Sequence, residues 1–192
     1  MQDQIAYFGY GSLVNLATLR TPFVAHYAAS LKGWRRCWLA RPKVPGSFAP
    51  IDNLAFLSAY PDPATTIDGL MIVDSATSLP QLDERERLYE RLPLERGNLH
   101  FSSADQPASP MPLYIYSADR TQHVADRPRI LRSYLDAVFQ GFYRNFGVDG
   151  LERFIETTDG FDLPILEDRE EPLYPRAVEL SGVERRLFDN LL

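Results

Sequence analysis

Tyr7-Phe8-Gly9-Tyr10-Gly11-Ser12-Leu13 is the stretch on which the reading of this chain turns. It follows Gln4-Ile5-Ala6, a run that can begin a strand. It precedes residues 14–20, which read as a short helix that Ser12 can cap. The two glycines free the backbone for dihedrals that a side chain forbids. A strand, a glycine turn and a helix start together direct several backbone N–H groups at one spot, and such a spot holds an anion such as a carboxylate. The plainer alternative is a strand-to-helix turn that needs glycine for shape alone, and the local pattern leaves both readings open.

Downstream, residues 31–41 alternate and are rich in aromatics, which predicts a strand; residues 42–50 are punctuated by Pro42, Pro45, Gly46 and Pro50 and read as a loop. Residues 53–60 predict a second strand that Pro61-Asp62-Pro63 ends, and the apolar run 67–73 a third, central one. A helix is expected over 79–92, capped by Thr77 or Ser78 with Pro80 in its first turn. Strands are expected within 94–101 and at 112–117, with a polar loop between them. The strongest periodicity spans 128–146, where Tyr134, Leu135, Val138, Phe139, Phe142 and Phe146 recur at helical spacing. Asp126 is a plausible cap for that helix and Gly147 a stop. A shorter helix follows at 151–157, and Ser181-Gly182-Val183-Glu184 fits a capping box that opens a last helix. The segment 158–174 is rich in Asp, Glu and Pro and reads as a flap. Strands and helices alternate too irregularly for a doubly wound sheet, so the pattern predicts an α+β fold with a mixed, closed sheet. The expected organisation is one domain over 1–192, with a core barrel over 1–147 and a C-terminal extension over 148–192.

The net charge is −6, with arginines interspersed among acids, which argues against nucleic acid as a partner because phosphate binding needs a basic face. No apolar run approaches membrane-spanning length, and no basic region followed by an apolar stretch opens the chain, so neither a membrane anchor nor a signal peptide is expected. Cys37 is the single cysteine, which forbids an intrachain disulfide and suits a reducing cytoplasm; it reads as a quiet thiol rather than a reactive one.

The second informative feature is a carboxylate where a leucine is expected. At about 100° per residue, Leu79, Leu82, Glu86 and Tyr89 share one helix face, and Glu84, Arg87 and Arg91 share the other. An inward carboxylate is costly unless paired or protonated, and burial raises its pKa. A raised pKa is what a carboxylate needs to accept and return a proton near neutrality. The alternative is a solvated glutamate at the margin of the stripe, paired with an arginine one turn away.

Together the two features resemble the γ-glutamylcyclotransferase-like superfamily. Phe8-Gly9-Tyr10-Gly11-Ser12-Leu13 is similar to its N-terminal signature, in the form carried by the ChaC branch, and Leu82-Asp83-Glu84-Arg85-Glu86 resembles that branch's Leu-Asp-x-Arg-Glu segment. Fainter similarities follow in order at Leu31-Lys32-Gly33-Trp34-Arg35-Arg36, at Asp68-Gly69-Leu70-Met71-Ile72-Val73 and at Ser133-Tyr134-Leu135 with Gly141. The chain departs from the pattern where Tyr89 comes one residue early after the glutamate and where Leu13, rather than asparagine, follows the serine. The resemblance implies release of 5-oxoproline from a γ-glutamyl amide, with Glu86 as general acid/base and Tyr10, Gly11, Ser12, Leu13, Tyr89 and Tyr134 holding the substrate. It implies no cofactor and no metal, and a small-molecule γ-glutamyl substrate. Tyr134 has a second reading as a core residue of its stripe, and the segments 164–169 and 172–176 are expected to complete or cover the pocket.

Other chemistries fit less well. Gly9-Tyr10-Gly11 lacks the third glycine of a dinucleotide fingerprint, since Val14 stands there. Ser12 lacks the frame of a nucleophile elbow, and His26, His100 and His123 lack metal-ligand spacing. A non-catalytic binding or interaction domain on the same fold is the alternative of a different class.

Overall fold

The computed structural model describes residues 3–19, 22–41, 53–102, 106–107, 110–122 and 127–192. The loop read at 42–50 and the cap read at Asp126 lie outside them. In chain order come β1 (Gln4–Gly9), two 3-10 turns, β2 (Ala25–Ala40), β3 (Ala55–Ser75), α1 (Leu79–Arg85), β4 (Glu90–Pro93), β5 (Leu99–Phe101) and β6 (Leu113–Ser117). They are followed by β7 (Ile130–Leu131), α2 (Arg132–Glu156), β8 (Thr158–Asp159), β9 (Ile165–Leu166) and α3 (Gly182–Asp189).

The main sheet has seven strands in the order β4-β6-β1-β3-β2-β5, with β8 joined to β2. Pairing is antiparallel except between β1 and β6 and between β2 and β8, so the sheet is mixed, as expected. It is not the closed barrel that the sequence led us to expect, because β4 and β5 end the path without pairing to each other. The two strands read on either side of Pro61-Asp62-Pro63 are one element, β3. Lys32 pairs with Thr66 and Trp34 with Pro61, which leaves Asp62, Pro63, Ala64 and Thr65 opposite Gly33 without ladder partners. The Asp62 carboxylate accepts from Ala64 N at 3.1 Å and Thr65 Oγ1 at 2.6 Å, so the proline break folds as a bulge. Gly33 has φ 86°, a backbone state that glycine alone adopts without penalty.

The helix read over 79–92 is shorter than its periodicity suggests. α1 stops at Arg85 with Glu86 as its C-cap, and Glu90–Pro93 instead pairs with β6. The helix read at 14–20 is two 3-10 turns, and Ser12 caps neither; the Asn15 side chain accepts from Ala17 N instead. The reading of 128–146 fares better. α2 carries Leu135, Val138, Phe139 and Phe142 fully buried, its preceding residues Ile130 and Leu131 form a buried strand, and Gly147 at φ 69° interrupts it before the 151–156 turns. The capping box at Ser181 and Glu184 is formed. Among the described residues no helix is long and apolar enough to cross a membrane.

The turn after β1 is clamped from two sides. The buried Asn15 side chain donates to Ala137 O at 2.9 Å and to Gln140 Oε1 at 3.0 Å on α2. The fully buried Arg36 on β2 donates through Nε to Tyr10 O at 2.9 Å, through Nη1 to Thr157 Oγ1 at 2.8 Å and through Nη2 to Asp68 O. Its guanidinium lies against both the Phe142 and Phe154 rings, 4.9 and 4.8 Å from their centroids, on one side of the contacting pair. Burial works against the charge of Arg36, and three oxygen acceptors and two ring faces offset that cost.

Candidate functional site

Residues 11–14 begin a helical turn in which Val14 N bonds to Gly11 O and Asn15 N to Ser12 O. The N–H groups of Ser12 and Leu13 come before that ladder, so the turn itself does not use them. A Cβ on Gly11 would lie 3.0 Å from Leu57 Cδ2 and 3.3 Å from the Tyr134 hydroxyl, so glycine lets the tyrosine approach the backbone here.

Tyr10, Gly11, Ser12, Leu13, Glu86, Tyr89 and Tyr134 all line one small recess of about 30 Å³. Every residue singled out from the sequence is therefore at one place. Ser12, Glu86, Tyr89 and Tyr134 also line an adjoining cavity of about 190 Å³, whose remaining wall includes Arg41, Arg85, Tyr174 and Arg176.

Glu86 reaches this position because α1 ends on it. Its side chain is 13% exposed and its Oε1 accepts from Arg85 Nε at 2.9 Å. The partner is its chain neighbour, not an arginine one turn away, because the non-helical Glu86 backbone (φ −99°, ψ 24°) breaks the helical spread of side chains. Burial pushes the Glu86 carboxyl above its ordinary range, while Arg85 and then Arg176 pull against that rise.

The tyrosines divide into two kinds. Tyr10 gives its hydroxyl proton to Tyr116 O, and Tyr89 gives its own to Leu57 O at 2.8 Å. Both hold the recess walls in place, and the hydroxyl bond to substrate anticipated for Tyr10 is already spent on the backbone of β6. Tyr134 faces the cavity. Burial raises its pKa most, followed by Tyr174 and Glu86, and the hydroxyl and N–H of Ser12 oppose the rise. Its ring meets Trp38 and Tyr174 edge-on at 5.8 and 5.0 Å, so it is both packed and cavity-lining.

Of the segments read as a possible cover, residues 173–176 complete the wall, whereas none of 164–169 lines it. Asp168, 7% exposed, accepts from Ser133 N at 2.8 Å, Ser133 Oγ at 2.5 Å and Leu173 N at 2.9 Å. Tyr174 N then donates to Ser133 Oγ at 3.2 Å. A turn closed by Ala177 N to Tyr174 O, at 3.0 Å, presents Pro175 and Arg176 to the cavity. The signal for this strap was Leu173-Tyr174-Pro175-Arg176, an aromatic and basic island within acidic chain. Arg41 gave no comparable signal. Among the described residues no three His, Cys, Asp or Glu side chains converge to hold a metal. Cys37 is buried, and burial pushes its thiol up to about 12.

Solved structures share this architecture over nearly its whole length. One described as a gamma-glutamyl cyclotransferase aligns with a TM-score of 0.61 at 14% identity, covering 98% of this chain and 99% of that one. The chain has the fold of that cyclotransferase. An uncharacterized protein from Homo sapiens aligns at 0.58 with 15% identity over 98% and 99% of the two chains. A yeast gamma-glutamyl cyclotransferase specific to glutathione aligns at 0.50 with 12% identity over 98% and 96%. No protein-family model and no curated protein matches by sequence.

Proposed function

We propose that this protein is a cyclotransferase of the ChaC type. It would release 5-oxoproline and an amine from a γ-glutamyl amide, with Glu86 as the acid/base. The observation that carries this reading is the shared recess: a buried carboxylate of raised pKa faces the glycine turn whose leading N–H groups are not used by the turn.

The substrate's α-amine attacks its own γ-carbonyl carbon. The new C–N bond closes a five-membered ring, and the amine proton passes to the Glu86 carboxylate. The carbonyl oxygen gains negative charge as the ring closes, and N–H groups at Ser12 and Leu13 are suited to stabilise it or to hold the α-carboxylate. Collapse breaks the amide C–N bond, and Glu86 returns its proton to the departing nitrogen. Nothing is oxidised or reduced, and the chemistry calls for no cofactor. Holding the flexible γ-glutamyl chain curled for attack can supply on the order of 7 kcal/mol or more. The walls formed by Tyr10 and Tyr89, tied to the backbone through their hydroxyls, and by the packed Tyr134 ring are suited to that work.

The test is 5-oxoproline release from γ-glutamyl amino acids, glutathione and γ-glutamylamines. Removing a general acid/base costs about 10²- to 10⁴-fold in rate, so Glu86→Gln should lose turnover by that factor while its thermal unfolding remains cooperative. Undiminished activity in a folded Glu86→Gln protein refutes the assignment. Tight binding without turnover in the wild type would favour the non-catalytic binding domain.

A further inference from the structure

The walls of the larger cavity carry three arginines, Arg41, Arg85 and Arg176, against a single carboxylate, Glu86, in a chain whose net charge is −6. Arg85 is committed to Glu86. The other two cations make no ion pair among the described residues, although Arg176 also acts on the Glu86 carboxyl. Arg41 makes no ion pair among the described residues, its Nε is buried without a hydrogen-bond partner, and burial lowers its pKa. Arg176, on the turn after Tyr174, likewise makes no ion pair or side-chain hydrogen bond among the described residues, and it is half-buried. Tyr174 lines the same cavity, and its hydroxyl is also buried without a hydrogen-bond partner among the described residues.

Two partly desolvated guanidinium groups and a phenol without an acceptor are costly to maintain, and an anion on a ligand in this cavity offsets that cost. The N–H groups of the 11–13 turn are suited to the α-carboxylate of the γ-glutamyl half. A second anion pole on another part of the wall calls for a second carboxylate, and the leaving amine is the part of the substrate that can bring one.

We propose that Arg41 and Arg176, with the Tyr174 hydroxyl, are specificity residues that select γ-glutamyl compounds whose leaving amine carries a carboxylate over γ-glutamylamines that lack one. This rests on the cyclotransferase reading above. The strap from Asp168 to Arg176 thereby becomes part of substrate selection, because its Asp168–Ser133 latch seats both Tyr174 and Arg176.

The experiment compares γ-glutamyl-α-aminobutyrate with γ-glutamylpropylamine, which differ only by the leaving-group carboxylate. The measurement is kcat/KM for 5-oxoproline release in the wild type, R41M, R176M, the double variant, and the charge-retaining R41K and R176K. Hydrogen bonds to a charged group predict that the wild type prefers the acid by about tenfold or more. The preference should fall in each Met variant, approach unity in the double variant, and survive in part in the Lys variants. The loss should appear chiefly in KM for the acid. Because Arg176 also acts on the Glu86 carboxyl, the amine substrate reports any general effect on rate, and the ratio of the two substrates cancels it. A wild-type ratio at or below unity, or a preference that persists in the double variant, overturns this proposal and leaves the cyclotransferase reading intact. Release from glutathione with none from either of the pair overturns this proposal, and absence of 5-oxoproline from both compounds and from glutathione overturns the cyclotransferase reading itself.

Discussion

Arg85→Met should move the acid limb of the cyclisation rate to higher pH. Arg85 Nε lies 2.9 Å from Glu86 Oε1, and the two side chains are 14% and 13% exposed. At that distance and an effective dielectric of about 20, the Coulomb attraction is about 6 kcal/mol, an upper bound before relaxation and water entry. One pH unit corresponds to about 1.4 kcal/mol, so even a quarter to a half of that attraction shifts the Glu86 carboxyl by about one to two units. The sign follows from which form works: Glu86 must start as the carboxylate, Arg85 favours the carboxylate, and removing Arg85 demands a higher pH for the same ionised fraction. The assay is the pH dependence of kcat/KM for 5-oxoproline release, in wild type and in Arg85→Met, between pH 4 and 9. The wild-type acid limb should already lie above the ordinary carboxylate range, because burial raises Glu86. Stability has a matching sign. A carboxyl whose folded pKa is raised stabilises the fold below its unfolded pKa, and that contribution is lost as pH rises through the folded pKa, so the variant should lose stability toward neutral pH over a wider window than the wild type. An acid limb that stays in place, or moves to lower pH, would show that Glu86 is not the group whose ionisation limits the rate.

Asp168→Asn places an amide N–H₂ where three donors converge, and should lower the urea midpoint by an amount equivalent to about 2–4 kcal/mol. It should also raise KM, since the strap bearing Tyr174 and Arg176 loses its anchor; an unchanged KM would mean the strap keeps its place without the latch. Arg36→Met leaves Tyr10 O, Thr157 Oγ1 and Asp68 O without their buried donor, and should cost about 3 kcal/mol or more in thermal or urea unfolding. A variant as stable as wild type would show that water replaces the guanidinium at no net cost.

The parts of the site that the sequence disclosed are those set by local rules. The glycine turn was legible because Gly11 faces a tyrosine hydroxyl that any side chain would crowd, and Glu86 was legible because it interrupts an apolar stripe. The helix end was not legible. The apolar period runs on from Leu82 to Tyr89, yet the chain leaves the helix at Glu86 so that Glu90–Pro93 can pair with β6, some 25 residues farther on (Glu90 with Ser117). That pairing is a long-range hydrogen-bond choice, which no short window contains. Barrel closure failed as an expectation for the same reason: whether β4 and β5 meet depends on twist and register accumulated across the whole sheet.

The charge at the cavity was the least legible feature, and the reason for it is physical. Arg41 directly follows β2, Arg85 ends α1, and Arg176 sits on a turn near the C-terminus; each alone reads as a routine surface arginine in an acidic protein. Their meaning arises from convergence on one cavity, where among the described residues only Arg85 forms an ion pair with a protein carboxylate. Stability alone gives no reason for such convergence, since a half-buried cation without a partner costs desolvation and returns no pairing. The same folding step that seats Tyr174 on Ser133 brings Arg176 toward Glu86 and lowers the pKa that burial has raised. The strap therefore couples substrate selection to acid/base poise. Loosening it at Asp168 should weaken discrimination between the paired substrates and shift the acid limb upward together, whereas a change at Arg41, which does not act on the Glu86 carboxyl, should move discrimination alone.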